Sequence, residues 1–206
     1  VDWGAPRDED RHLSWSEAID RAVRFARIVA RRSPTRRVSL LGYCMGATVA
    51  AIAATQLRER LNSFVNLAGP IDFSHAGVLG KLVDPAFFDP LAIASAGNVT
   101  ADQMQAGFVA LDPLSVSRRW TTAATKIQQT RASGGSSQRG QAAQSLDPGF
   151  TRWVALDYWA ADNVGFPAAA WATYIQALYQ RNELANAAHF YRGSVVDLRA
   201  VTCPVL

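Results

Sequence analysis

Val38-Ser39-Leu40-Leu41-Gly42-Tyr43-Cys44-Met45-Gly46-Ala47-Thr48-Val49-Ala50-Ala51-Ile52 is the stretch on which the fold turns. A short apolar run reaches a glycine, a cysteine sits between Gly42 and Gly46, and an alanine-rich segment comes next. The run reads as a buried strand, and the alanine-rich segment as a helix ending near Arg60. A G-x-C-x-G box between a strand and a helix has the form of a nucleophile elbow. The central residue of such an elbow occupies a strained tight turn, and the flanking glycines remove clashes with the neighbouring strand and helix. The helix N-terminus faces that residue, so its dipole and free N–H groups favour negative charge there. Cys44 is therefore the candidate nucleophile, and the backbone N–H of Met45 the candidate oxyanion donor. The competing reading is a buried structural cysteine in a glycine-rich turn. Cysteine in place of serine points to thioester chemistry, because a thiolate attacks thioesters well and exchanges acyl groups readily.

Upstream, Ser14-Trp15-Ser16-Glu17 has the spacing of a capping box, and apolar residues from Ala18 to Ala30 come after it at mostly helical spacing. A helix is predicted over about 15–32, stopping before Pro34. Arg21, Arg24, Arg27 and Arg31 share its other face, which reads as solvated, since no Gly-rich loop adjoins it to complete an anion site. Downstream, Phe64-Val65-Asn66-Leu67 is a second strand, closed by Gly69-Pro70. Helix, strand, helix, strand at this spacing implies a parallel, doubly wound sheet.

From residue 72 the pattern changes. Asp72 to Phe88 carries turns and aromatics. Ala101–Leu111, Val116–Gln129, Trp153–Trp159 and Ala168–Leu184 read as helices. Residues 131–149 are rich in Ser, Gly, Gln and Ala, too poor in apolar anchors to offset their ordering entropy, and are expected to be mobile. Val201-Thr202-Cys203-Pro204-Val205-Leu206 starts like a new buried strand. The layout expected is a sheet core over 1–71 and 196–206 with a mostly helical cap inserted over 72–195.

Composition bounds the alternatives. Of 206 residues 49% are hydrophobic and only 18% charged, which excludes a disordered or acidic-tail protein. A net charge of +4 permits an anionic ligand but is too mild to argue for nucleic acid. Cys44 and Cys203 make no disulfide framework. No run of about 18 apolar residues suggests a membrane span, no spacing of His, Cys and Asp suggests a metal site, and no signal peptide is seen. The chain opens on Val1 and stops at Leu206, and both ends read as cut from something longer.

At this point the chain resembles the polyhydroxyalkanoate synthases, acyltransferases of alpha/beta-hydrolase fold whose lipase-like box carries cysteine. Asp2-Trp3-Gly4-x-Pro6 with Asp10 is similar to the family's opening segment, and Leu41-Gly42-Tyr43-Cys44-Met45-Gly46-Ala47 to its nucleophile box. Leu67-Ala68-Gly69-Pro70-Ile71-Asp72-Phe73 resembles the segment closing the next strand. Gln105-x-Gly107-Phe108, Leu111-x-Pro113, Tyr158-Trp159-x-x-Asp162 with Pro167, Tyr179-x-x-Asn182-x-Leu184, Gly193, Val196-Asp197-Leu198 and Thr202-Cys203-Pro204-Val205 continue the ordered set. Ala47 stands where the family most often has a second glycine.

The resemblance implies a cytoplasmic enzyme, at the polyester granule surface, that joins 3-hydroxyacyl-CoA monomers through an acyl-Cys44 intermediate and releases CoA. It implies acyl-CoA as substrate with no further cofactor, and a homodimer or a synthase partner subunit. The family's catalytic aspartate and histidine are expected beyond Leu206, and the strand and loop giving the second oxyanion N–H before Val1, so the 206 residues alone are expected to be inactive as a synthase, with at most stoichiometric acylation of Cys44 and no polymer. His12, His75 and His189 do not fall where the fold places the base and read as structural or surface groups; Cys203 reads as a small core residue. Trp159 and Asp162 are cleft candidates, weighed against a core tryptophan with a helix cap. Phe87, Phe88, Phe108, Trp153, Tyr158 and Trp171 read as cap core rather than acyl pocket. Two rivals remain: a cysteine-dependent thioesterase or depolymerase on the same elbow, and a non-catalytic synthase-like fragment.

Overall fold

The computed structural model describes residues 3–133 and 148–206. The middle of the segment expected to be mobile, 134–147, lies outside the described residues. The chain divides into two compact units, one holding the residues up to Val99 together with Phe166–Leu206, the other running from Thr100 to Gly165.

In the first unit, helix α1 spans Trp15–Arg32. It starts where the capping box places it: the Ser14 hydroxyl accepts from the Glu17 N–H, and the Glu17 carboxylate accepts from the Ser14 N–H at 2.7 Å. Trp15, Ile19, Val23, Ala26 and Ala30 are buried, one stripe at three- and four-residue intervals. Strand β1 (Val38–Tyr43) pairs in parallel with β2 (Leu61–Leu67), Leu40 opposite Phe64 and Tyr43 opposite Leu67. Helix α2 (Met45–Leu57) crosses between them, and the 3-10 turn Arg58–Arg60 delivers the chain to β2. It packs against α1 and both strands and is buried almost all round; its alanines let the backbones approach closely. The result is a mixed α/β unit with a small parallel sheet.

The last residues return to this sheet. Val205 bridges Phe64 in parallel, the Phe64 N–H donates to the Pro204 carbonyl at 2.9 Å, and the Asn66 N–H to that of Leu206 at 2.8 Å. The third strand forms where the apolar run 201–206 begins to pair, on the side of β2 away from β1. Burial differs from the expectation: Val205 and Leu206 are exposed, because no described residue covers this outer strand.

The single helix predicted over 168–184 is instead an α-helix, α8 (Ala168–Thr173), continued by a π-helical stretch Tyr174–Gln180. The widened turn has a packing reason. Five-residue steps bring Tyr174 and Tyr179 to one side, their rings 6.0 and 4.7 Å from that of Phe73. Short helices α3 (Gly77–Leu82) and α4 (Pro90–Ser95) and the hairpin β3 (Phe190–Tyr191) to β4 (Ser194–Val195) complete this unit.

The second unit contains α5 (Ala101–Leu111), α6 (Ser115–Ser133) and α7 (Pro148–Ala161). None of its described side chains is buried. This corrects the reading of the aromatics as cap core. Phe108 and Tyr158 are exposed, as is Phe87 in the first unit; Phe88 and Trp153 are half-buried. Only Trp171 is buried, and it belongs to the first unit. Helices that share no closed core leave their large rings uncovered, whatever their hydrophobicity.

Candidate active site

The chain leaves β1 at Tyr43 and enters α2 at Met45, so Cys44 takes the whole reversal alone. Its backbone sits at φ 52°, ψ −129°, a region that costs a side-chain-bearing residue about 1–3 kcal/mol. Two hydrogen bonds hold it there. The Cys44 N–H donates to the Leu67 carbonyl at 3.0 Å, extending the parallel ladder, and the Cys44 carbonyl accepts from the Ala47 N–H at 2.9 Å. The side chain is exposed and makes no capping bond to α2. The first-turn N–H groups of α2, Met45 among them, therefore lack a side-chain acceptor at the cap. An exposed thiol thus stands at the N-cap position of a helix whose first-turn N–H groups have no side-chain acceptor there.

The two glycines of the box are not equivalent. A Cβ on Gly42 would lie 2.3 Å from the Ala47 Cα, so no side chain fits. A Cβ on Gly46 would meet nothing within 4 Å, so relief of a clash does not explain that glycine. The second close approach is at Gly69, after β2, where a Cβ would lie 2.1 Å from the Ala47 Cβ and 2.9 Å from the Cys44 carbonyl oxygen. The Gly69 turn is clamped by the Asn66 side chain, which accepts from the Gly69 N–H at 2.8 Å and donates to its carbonyl at 3.1 Å. Thr48, fully buried one turn into α2, donates to the Pro70 carbonyl at 2.7 Å and ties this loop to the helix.

Tyr174 and Tyr179 stand behind the turn, their ring centroids 5.5 Å apart. Burial pushes the Tyr174 phenol well above its usual range, and Tyr179 and Cys44 push the same way. Burial also raises Tyr179, with Cys44 adding to it. Two neutral hydroxyls thus lie within electrostatic reach of the candidate nucleophile. Sequence reasoning missed Tyr174. Its only signal was a Tyr-x4-Tyr spacing, which an α-helix would not bring to one face and a π-helix does.

The other candidates fall in different places. Cys203 is half-buried against Ala50, Ala51 and Phe64. His12 and His75 are exposed. His189 is buried with its Nδ1 3.2 Å from the Glu183 carboxylate. Among the described residues no histidine hydrogen-bonds the Cys44 thiol. Trp159 is exposed on α7, so the core-tryptophan alternative does not hold. Asp162 comes just after the end of α7, its N–H donating to the Trp159 carbonyl at 3.2 Å, and is exposed. Among the described residues no helix is long and apolar enough to cross a membrane.

No family model matches the chain. Curated relatives do. It is 26% identical over 209 residues to the poly(3-hydroxyalkanoate) polymerase subunit PhaC of Haloferax mediterranei, covering all of this chain and 39% of that protein. Against the proteins of the same name from Synechocystis sp. and Allochromatium vinosum the identities are 23% and 24%, again over all of this chain and 52% and 54% of theirs. The chain thus spans about two fifths to a half of these relatives, and along its whole length it is similar to proteins named poly(3-hydroxyalkanoate) polymerase subunit PhaC.

Proposed function

We propose that this chain carries the nucleophile of an alpha/beta-hydrolase-fold acyltransferase that polymerises 3-hydroxyacyl-CoA. The observation that carries the reading is the strained, exposed Cys44 held between β1 and the bare N-terminus of α2. The relatives' names supply the reaction class.

The first half-reaction transfers the acyl group to the enzyme. The Cys44 sulfur gives its proton to a base and attacks the thioester carbonyl. The Met45 N–H holds the oxyanion, the carbonyl–sulfur bond to CoA breaks, and CoA leaves with the proton. In the second half, a substrate or chain-end hydroxyl attacks acyl-Cys44. Its proton passes through the base to the departing Cys44 sulfur, and an ester forms. The base is, on this reading, a histidine supported by an aspartate, and it is none of His12, His75 and His189, since none of these hydrogen-bonds Cys44 among the described residues. Trp159 and Asp162 belong to the same reading as acyl-cleft residues, supported by their exposure. A partner subunit or second copy is in keeping with the word "subunit" in the relatives' names. Work in the cytoplasm at the polyester surface is in keeping with a polymer-forming reaction.

The test is acylation itself. Incubated with 3-hydroxybutyryl-CoA, the protein is expected to gain one 3-hydroxyacyl group on Cys44, seen by peptide mass spectrometry, and Cys44→Ala none. An adduct on Cys203 with Cys44 unmodified would overturn the assignment. Free acid released without polymer would favour a thioesterase.

A further inference from the structure

The arginine face of α1 is more than a solvated stripe. Arg24, Arg27 and Arg31 line one side of a groove of about 430 Å³, and Tyr191 and Arg192 of the β3–β4 hairpin line the other. Such a volume suits a nucleotide-sized ligand.

The charges in this groove are not compensated. Helix α1 has two acidic residues, Glu17 and Asp20. Glu17 is committed to the capping box. Asp20 accepts from the Tyr191 hydroxyl at 2.5 Å and pairs with Arg192. Among the described residues, no carboxylate lies within ion-pair distance of Arg24, Arg27 or Arg31. Arg27 reaches only the Gln56 carbonyl, at 3.5 Å. Like charges three and four residues apart on a helix repel by a few tenths of a kcal/mol per pair. Three exposed guanidiniums lining a concave surface present forked donors in the geometry that binds phosphoryl oxygens.

We infer that the groove between α1 and the β3–β4 hairpin binds an anion bearing two or more phosphoryl groups. Arg24, Arg27 and Arg31 supply the donors. The Asp20 link to Tyr191 and Arg192 ties the hairpin to α1 and so fixes the far wall. The site is separate from Cys44, since the groove takes in Gln56, at the C-terminal end of α2, whereas Cys44 caps its N-terminus. It stands whether or not Cys44 is a nucleophile.

The experiment is calorimetric titration of the protein with inorganic pyrophosphate, ADP and coenzyme A, at low and moderate salt. Arg24→Gln with Arg27→Gln is the test variant, and Arg152→Gln, an exposed arginine in the other unit, the control. Saturable pyrophosphate binding is expected, weaker by tenfold or more in the double variant, unchanged in the control, and falling as salt rises. Tighter binding of coenzyme A than of ADP would identify the thioester's nucleotide as the source. Equal affinities would identify free phosphates. No saturable pyrophosphate binding up to about 5 mM, or equal binding by the double variant, overturns the inference.

Discussion

The Cα of Ala47 stands 2.3 Å from where a β-carbon on Gly42 would be. The strand before the elbow and the helix after it approach so closely that a hydrogen is the largest substituent Gly42 tolerates. Gly42→Ala is expected to push α2 off the sheet and to destabilise by about 1–3 kcal/mol or more. Gly46→Ala, with open space around it, is expected to be neutral or to stabilise by up to about 1 kcal/mol, as alanine does in helices. Urea denaturation of both variants checks the contrast; equal losses would refute the packing account.

Asn182 joins distant parts of the first unit. Its side chain accepts from the N–H of buried Phe73 at 2.8 Å and donates to the Asp72 carboxylate at 2.7 Å. Hydrogen bonds from Ser74, and then Asn182, hold the Asp72 carboxyl at about 2 against an ordinary 3.8. A carboxyl lowered on folding stabilises the folded state above its ordinary value, and that contribution fades as pH falls from 3.8 towards 2. Asn182→Ala is expected to cost about 1–3 kcal/mol near neutrality by orphaning the Phe73 N–H. The acid-induced loss should also be smaller in the variant. Urea midpoints measured from neutral pH to about pH 2 test both points.

The elements around Cys44 were legible because each carries a local signal. Ser14 and Glu17 mark the start of α1 and Pro34 its end; Gly42 and Gly69 punctuate the strands. Helix α4 was missed although Asp89-Pro90 is an N-cap with proline at the first helical position, and Asp89 does accept from the Leu91 N–H. The π-helical stretch and the Asp72–Asn182 contact were not legible, since both depend on residues far apart in sequence meeting at Phe73. Burial of the aromatics was misread for the related reason that hydrophobicity does not say whether a core exists to receive a ring. The strand-to-helix turn at Cys44 and Met45 was legible from the box; the proximity of Tyr174 was not.

The capping box gives a second pH signature. The Ser14 N–H, then its hydroxyl, lowers the Glu17 carboxyl below its ordinary 4.5. Its stabilising effect is complete above that value and is lost as pH falls through the lowered one. Ser14→Ala is expected to cost about 1 kcal/mol near neutral pH, and less once Glu17 is protonated. Thermal melts by circular dichroism at both pH values check this; a pH-independent cost would show that the carboxylate adds nothing to the cap.

Cys44 sets stability against reactivity. A side chain at φ 52° is strained, and glycine is the residue that relieves it. Cys44→Gly is therefore expected to raise stability by about 1 kcal/mol, less than the full strain because glycine gains freedom in the unfolded chain. The same variant should lose all acylation. In the unmodified protein, exposed Cys44 should react with iodoacetamide well before Cys203, which is packed against Phe64. The difference should vanish in urea, and an acyl-CoA should slow labelling of Cys44 alone. Peptide mapping over a labelling time course gives the order, and urea melts give the stability change. A Cys44→Gly protein less stable than the original would mean that the thiol holds its position by packing, and would remove strain as an argument for catalysis.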